Sequence, residues 1–439
     1  MKLPRYGNYF ESGTDWLGEV PVHWRLVPLW TLFRRTKRTG FEGEQLLSVY
    51  RDFGVVPKAS RDDNNNKSSD DLSVYQLVEP GDLAINKMKA WQGAVAISGH
   101  RGIVSPAYFI YESMHDEYGR FLHYLLRSPR YITGYLSISK GIRINQWDLE
   151  PQYHSRMPVL LPPRDEQVTI AAFLDRETAK IDALIVEQEK LIALLAEKRQ
   201  ATISHAVTKG LNPSAPMKDS GIPWLGEVPA HWEIVPLKYV AELRSGGTPS
   251  KENLDYWDGD IPWASAKDLK VERLGDTADH ITQAAVEGGE ASLVRQGAIL
   301  VVVRGMILAR MFPVVETLVP MAINQDLKAV LPSAKLSASF LAWLLRGSAG
   351  ESMQRLDEAG HGTKALRMDA WTSIKLPIPP LEEQALVAEF VVRATTKLDA
   401  LRTSAVRAID LLKERRSALI AAAVTGQIDV RGEVAEVAA

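Results

Sequence analysis

LPPRDEQVTIAAFLDRETAKIDAL, Leu161 to Leu184, returns 217 positions later as IPPLEEQALVAEFVVRATTKLDAL, Ile378 to Leu401. In both copies a Pro-Pro pair precedes acidic residues and a long stretch of helix formers, which marks a helix N-terminus. Downstream of the first start, Ile181, Leu184, Ile185, Leu191, Ile192 and Leu195 recur at three- and four-residue steps, so one helical face is apolar. No proline or glycine interrupts the chain between Pro163 and Gly210, and at about 1.5 Å per residue the helix predicted there is roughly 60 Å long. The second copy carries Leu398, Leu401, Ile409 and Leu412, while Ala405 and Ala408 are small enough to let two helices approach closely. The helices leave through matching tails, AVTKG from Ala206 and AVTGQ from Ala423.

A second repeat lies upstream of each helix. SGTDWLGEVPVHWRLVPL, Ser12 to Leu29, and SGIPWLGEVPAHWEIVPL, Ser220 to Leu237, share 13 of 18 residues. Each half therefore reads as box, variable region, helix, and the chain is a tandem duplication. Two homologous units in one chain tend to pack about a pseudo-twofold axis, which would set the helices antiparallel. The variable regions, about 30 to 156 and 238 to 373, mix short strands with helices. Runs such as Leu83 to Asn86 and Ala298 to Val303 follow Pro-Gly or Gln-Gly turns, and FLHYLLRS from Phe121 matches FLAWLLRG from Phe340. The expected class is α+β: one domain at 1–160, a spacer helix at 161–210, a second domain at 211–377, a second helix at 378–426, and a tail at 427–439.

The 439 residues are 46% hydrophobic, enough for more than one buried core. The absence of cysteine excludes disulfides, thiolate metal sites and a cysteine nucleophile, and suits a reducing cytoplasm. The start, MKLPRYGNYFES, has no apolar run of the export type, and no apolar run reaches membrane-spanning length. With a net charge of −2, any nucleic-acid surface must be a local patch.

Donor-rich loops supply candidates for such patches. Asn and Arg can pair with base edges, and Lys mostly meets phosphates. In the first region these are Lys58, Arg61, Asn64, Asn65 and Lys67, then Lys87, Lys89 and Gln92 after a strand, then Lys140, Arg143 and Asn145. The three groups are expected to share one reading face. In the second region Arg244, Gly246, Gly247, Thr248, Lys251 and Lys267 lie in RSGGTPSKENLDYWDGDIPWASAKDLK, where paired glycines permit close backbone approach. Arg304, Arg310, Lys364 and Arg367 complete the set, while Trp257 and Trp263 read as structural.

Catalytic signatures are poor. Asp260 with Asp268-Leu269-Lys270 only faintly imitates a nuclease set, no Walker or GxGxxG loop is present, and the nine histidines form no ligand pair. His23 and His231, inside the boxes, read as packing or hydrogen-bonding residues. No metal site and no catalytic residue is assigned.

Taken together, the two WLGEVPxHW boxes, the GGTPSKENLDYWDGDIPW stretch, GIVSPAYFIY from Gly102, the two Pro-Pro helix starts and the AVTGQ exit resemble the specificity subunit of type I restriction–modification enzymes. That resemblance implies two target-recognition domains, each binding one half of an asymmetric bipartite site in double-stranded DNA, with the two helices as a ruler. It implies a non-catalytic chain. Partners would be two methylation subunits, which carry S-adenosylmethionine and methylate adenine, and restriction subunits using ATP and Mg for translocation and cleavage. It also places Trp16, Trp24, Gln167, Trp224, Trp232 and Gln384 at the subunit interface or at the brace between domain and helix. The chain departs from the usual form in lacking a GGTP loop in its first domain. The rival reading is a coiled-coil adaptor that does not read DNA.

Overall fold

The structure is a computed structural model that describes residues 3–51, 53–61, 68–141, 147–360 and 362–433. The chain folds as two units, residues 1–188 with 407–439, and residues 189–406. Each unit owns part of both long helices, Arg164–Lys209 and Leu381–Val424. The helices begin after Pro163 and Pro380 with acidic first turns, and end where Gly210 and Gly426 adopt left-handed φ values of 73° and 71°.

In the first unit, Ile170, Ala171 and Leu174 near the start of one helix share a core with Ala423 and Val424 at the end of the other. In the second unit, Ile203 and Val207 share a core with Val387 and Val391, so the ends are exchanged and the helices run antiparallel. Matching ion pairs repeat the exchange: Arg416 Nε to Asp182 Oδ1 at 2.9 Å in the first unit, and Arg199 Nε to Asp399 Oδ1 at 3.1 Å in the second. These four residues obey the 217-residue offset of the sequence repeat, Asp182 matching Asp399 and Arg199 matching Arg416.

The buried stripe on the first helix, Leu174, Thr178, Ile181 and Leu195 with half-buried Ile185 and Ile192, keeps three- and four-residue steps. It is the narrow seam of a helix pair. This corrects part of the expected packing set. Leu184, Leu191 and Leu401 stand beside the seam and are 51%, 41% and 55% exposed. Ala405 and Ile409 are buried, and Leu398 and Leu412 half-buried.

Each domain is built on a sheet with helices packed on it. In the first unit the antiparallel order is Phe33–Thr36, Tyr108–Ser113, Leu83–Asn86, Val95–Ile97. The second unit repeats it as Ala241–Ser245, Leu327–Pro332, Ile299–Val302, Val314–Thr317, and adds Arg273–Leu274 in parallel at the edge. The matched amphipathic segments are helices Gly119–Leu126 and Ala338–Gly347, with Phe121, Leu122, Phe340 and Leu341 fully buried.

Candidate nucleic-acid interface

Register places the candidate residues of the second unit. Ser245 pairs with Lys328 at one end of the sheet, and Val302 with Leu327 beside it. The chain leaves that end into Arg304–Gly305, which pairs with Lys364–Leu366, so Arg304 lies opposite Ala365 and Gly305 opposite Lys364. Asp326 carbonyl accepts from Val303 N at 2.8 Å, and Ile323 carbonyl from Gly247 N at 2.9 Å. The GGTP loop, the Asn324-Gln325 turn, Arg304 and Lys364 therefore meet at one sheet end. Arg310 joins them, because it just precedes Val314, which pairs with Val301.

The glycines of that loop have an internal reason. A Cβ on Gly246 would lie 1.9 Å from the Ile323 carbonyl oxygen, and one on Gly247 would lie 2.5 Å from that of Glu290. The close approach expected for a ligand is thus taken up by the protein's own backbone. Trp263 Nε1 donates to Gly247 carbonyl at 3.0 Å, and Trp257 Nε1 to Ser250 carbonyl at 3.0 Å, so both tryptophans pin the loop. Thr248 bonds Gln325, which fixes both side chains at the rim.

The first unit builds the same end with less. Asn86 pairs with Tyr108, and the chain turns through Lys87 and Lys89 into a short helical turn, Ala90–Gln92. Leu149 N donates to Lys87 carbonyl at 2.9 Å, as Leu366 N does to Val303 carbonyl at 2.8 Å. The strand Ser139–Lys140, paired with Asp148–Leu149, thereby stands where the 356–366 hairpin stands in the second unit. Trp91 and Trp147 hold the two turns together, centroids 4.9 Å apart. Two of the three expected groups are brought together here. Asn64, Asn65, Lys67, Arg143 and Asn145 lie outside the described residues. Lys58 is half-buried in a turn after the hairpin of Leu47–Tyr50 and Gly54–Pro57, and Arg61 stacks 4.0 Å over the Phe53 ring.

Charge at both ends is held by different means. Among the described residues, Lys89, Lys251, Arg304 and Arg310 are exposed and have no ion pair. Lys140, Arg244, Lys267, Lys364 and Arg367 face Glu150, Glu242, Asp279, Glu358 and Asp357 at 3.3, 3.0, 2.6, 2.8 and 3.5 Å. A phosphate would have to displace those carboxylates, so the second group costs more to recruit. Asp268 spends its carboxylate on Ser265 N and Ala278 N, at 2.9 and 3.2 Å. Among the described residues no group of His, Cys, Asp or Glu could hold a metal ion.

The six residues placed at the subunit interface or domain–helix brace turn inward. Trp24 and Trp232 are 3% and 0% exposed, and their Nε1 groups donate to Glu166 and Glu383 at 3.1 and 3.0 Å. His23 and His231 meet the same carboxylates at 2.9 and 2.7 Å. Gln167 accepts from Tyr118 N at 2.9 Å and donates to Pro162 carbonyl; Gln384 accepts from Ser337 N at 2.8 Å and donates to Pro379 carbonyl. Trp16 packs edge-on against Tyr131, and Trp224 packs on the second core. This corrects an interface role: Trp24, Gln167, Trp232 and Gln384 have no surface to offer a partner and instead brace box to helix. Glu166 and Glu383, the anchors of that brace, were absent from the sequence-based set, although their 217-residue spacing marks them.

One strand order, with cations at one end of the sheet and a Trp–His–Glu brace from box to helix start, thus recurs in both units. Comparison with known proteins shows what this arrangement is similar to. Residues 229–404 match the type I restriction modification DNA specificity domain. The EcoR124I/EcoR124II specificity subunit of Escherichia coli is 28% identical over 191 residues, 43% of this chain and 46% of that relative. The StySPI specificity subunit of Salmonella potsdam is 20% identical across 94% of this chain and 90% of its own length. The chain spans about half the length of the first curated relatives it matches, 46% and 38%. The fold is that of a chain from a study of assembly and conformational transition of the type I R-M system (TM-score 0.64, 17% identity, 92% of this chain and 98% of that one) and of the HsdS subunit from Thermoanaerobacter tengcongensis (0.52, 16%, 93% and 98%). The curated relatives that this chain resembles are thus specificity subunits of type I restriction enzymes, and residues 229–404 carry the match to the specificity-domain family.

Proposed function

We propose that this chain selects the DNA site for a type I restriction–modification assembly and performs no chemistry itself. Each unit grips one half of an asymmetric bipartite site in double-stranded DNA, and the antiparallel helices fix the gap between the halves. Two methylation subunits bring S-adenosylmethionine and methylate adenine; restriction subunits bring ATP- and Mg-dependent translocation and cleavage. The setting is the cytoplasm, and no described helix is long and apolar enough to cross a membrane. In this reading the domains are 1–160 and 211–377, with spacers at 161–210 and 378–426 and a tail at 427–439.

The observation that carries this reading is the recurrence of one sheet end with unpaired cations, Lys89 in one unit and Arg304 and Arg310 in the other, on loops of different sequence. Cations at a sheet end hold phosphates, and divergent loops read different bases. A duplex dyad perpendicular to its axis suits two equivalent readers on opposite strands. Target adenine must leave the stack to be methylated, and a clamp on each half-site holds the duplex while the partner flips that base. Genome-wide adenine-methylation mapping tests the proposal in a host with the methylation subunits, with and without this chain. A two-part motif should appear only when the chain is present; functional methylation subunits that give no motif with it would overturn the reading and favour an adaptor role.

A further inference from the structure

Both units expose a methionine in the turn that follows the central strand of the sheet. Met88, between Lys87 and Lys89, is 42% exposed; Met306, two residues after Arg304, is 70% exposed. A single exposed apolar side chain is ordinary. Its recurrence in the matching turn, on the edge where unpaired cations gather, is not. Each turn already has an apolar anchor in the fold, since Ala90 and Leu308 are fully buried. The turns are held by their own bonds, Lys89 N to Asn86 carbonyl and Trp91 Nε1 to Met88 carbonyl, both 3.0 Å, and Arg310 N to Ile307 carbonyl at 3.0 Å. Both methionines therefore present exposed apolar surface beside groups suited to phosphate.

We infer that Met88 and Met306 are specificity-determining contacts, each packing its thioether against a thymine methyl in its own half-site. This rests on the proposed DNA reading. Thymine C5-methyl is the apolar mark in the major groove, and it is read by apolar contact rather than by a hydrogen bond. Methionine is unbranched and polarizable, so it adapts to a base edge where a β-branched residue would not. An adenine-methylated half-site contains at least one A·T pair, so each half holds a thymine to contact.

The test uses this chain assembled with its methylation subunits and the duplex mapped by methylation, with the thymines of one half at a time replaced by uracil, which removes only the methyl. Wild type should lose about fourfold in affinity for either half, the worth of one buried methylene-sized group. Met306→Ala should abolish that preference in one half only, Met88→Ala in the other, and Met306→Leu should retain it. Equal wild-type affinity for thymine and uracil duplexes, or a preference that survives in both alanine variants, overturns the inference while leaving DNA reading intact. Failure of the wild-type assembly to distinguish the mapped duplex from a scrambled one overturns the DNA reading and the inference with it.

Discussion

The two braces use the same three residues, yet they are closed differently. In the second unit the chain runs on from the helix end: Lys209 Nζ donates to Leu225 carbonyl at 2.9 Å, and Lys218 Nζ to Trp232 carbonyl at 2.6 Å. In the first unit the corresponding closure joins residues 4–9 to residues 426–431. Asp429 N donates to Pro4 carbonyl at 2.8 Å, Tyr9 hydroxyl to Gly426 carbonyl at 2.8 Å, and Arg431 stacks 5.0 Å over the Tyr6 ring. Tyr6 hydroxyl then adds a third donor to Glu166 at 2.5 Å, where Glu383 has only its His and Trp among the described residues. Burial, and then Glu166, push the Tyr6 phenol far above its usual range, so it stays a donor at any physiological pH. The first junction thus has the more buried hydrogen-bond cluster.

The largest effect should come from Glu166→Ala. It strands three donors in a buried site and should cost about 3 kcal/mol, whereas Glu383→Ala, nearer solvent, should cost about 1–2 kcal/mol. Denaturant unfolding of the two variants measures both, and equal losses would break the asymmetry.

Acid should also separate the units. Burial holds His154 down at about 3, and burial with the Arg127 charge holds His123 down at about 4. Both folded values lie below the usual 6.5, so the unfolded chain binds more protons in between. Stability present above pH 6.5 is then lost as pH falls toward 4 and 3, by up to about 3 kcal/mol for His123 and about 5 kcal/mol for His154. Hydrogen exchange from pH 7 to 4.5 should show the first unit opening before the second; simultaneous opening would contradict this.

Tyr6→Phe removes one donor from Glu166 and should cost about 1 kcal/mol, with no counterpart in the second unit. The smallest contrast concerns the reciprocal ion pairs. Arg199 bonds Glu272 as well as Asp399, so Arg199→Ala should cost about 1 kcal/mol and Arg416→Ala less than about 0.5. A double-mutant cycle with Asp399 and Asp182 measures each.

The fold was legible because duplication wrote it twice. The 217-residue offset identified both helices, and the Leu83 and Ala298 runs located the central strands. Leu184, Leu191 and Leu401 were misread because apolar periodicity does not say how wide a stripe a lone helix partner can cover. The brace was hidden for another reason: a Trp in a repeated box or a Gln in a repeated helix start looks the same whether it serves a partner or a buried polar group. In the recognition domains, local composition found Lys87, Arg304 and Lys364, but only strand register shows that they occupy matching ends of two sheets.

The central claim is that each unit reads its own half of the site. Adenine-methylation maps of Lys87→Ala with Lys89→Ala, and separately of Arg304→Ala with Arg310→Ala, test it most directly. The account predicts that each double variant relaxes or loses one half of the motif and leaves the other half unchanged, a different half in each case. Equal damage to both halves by either variant would contradict it.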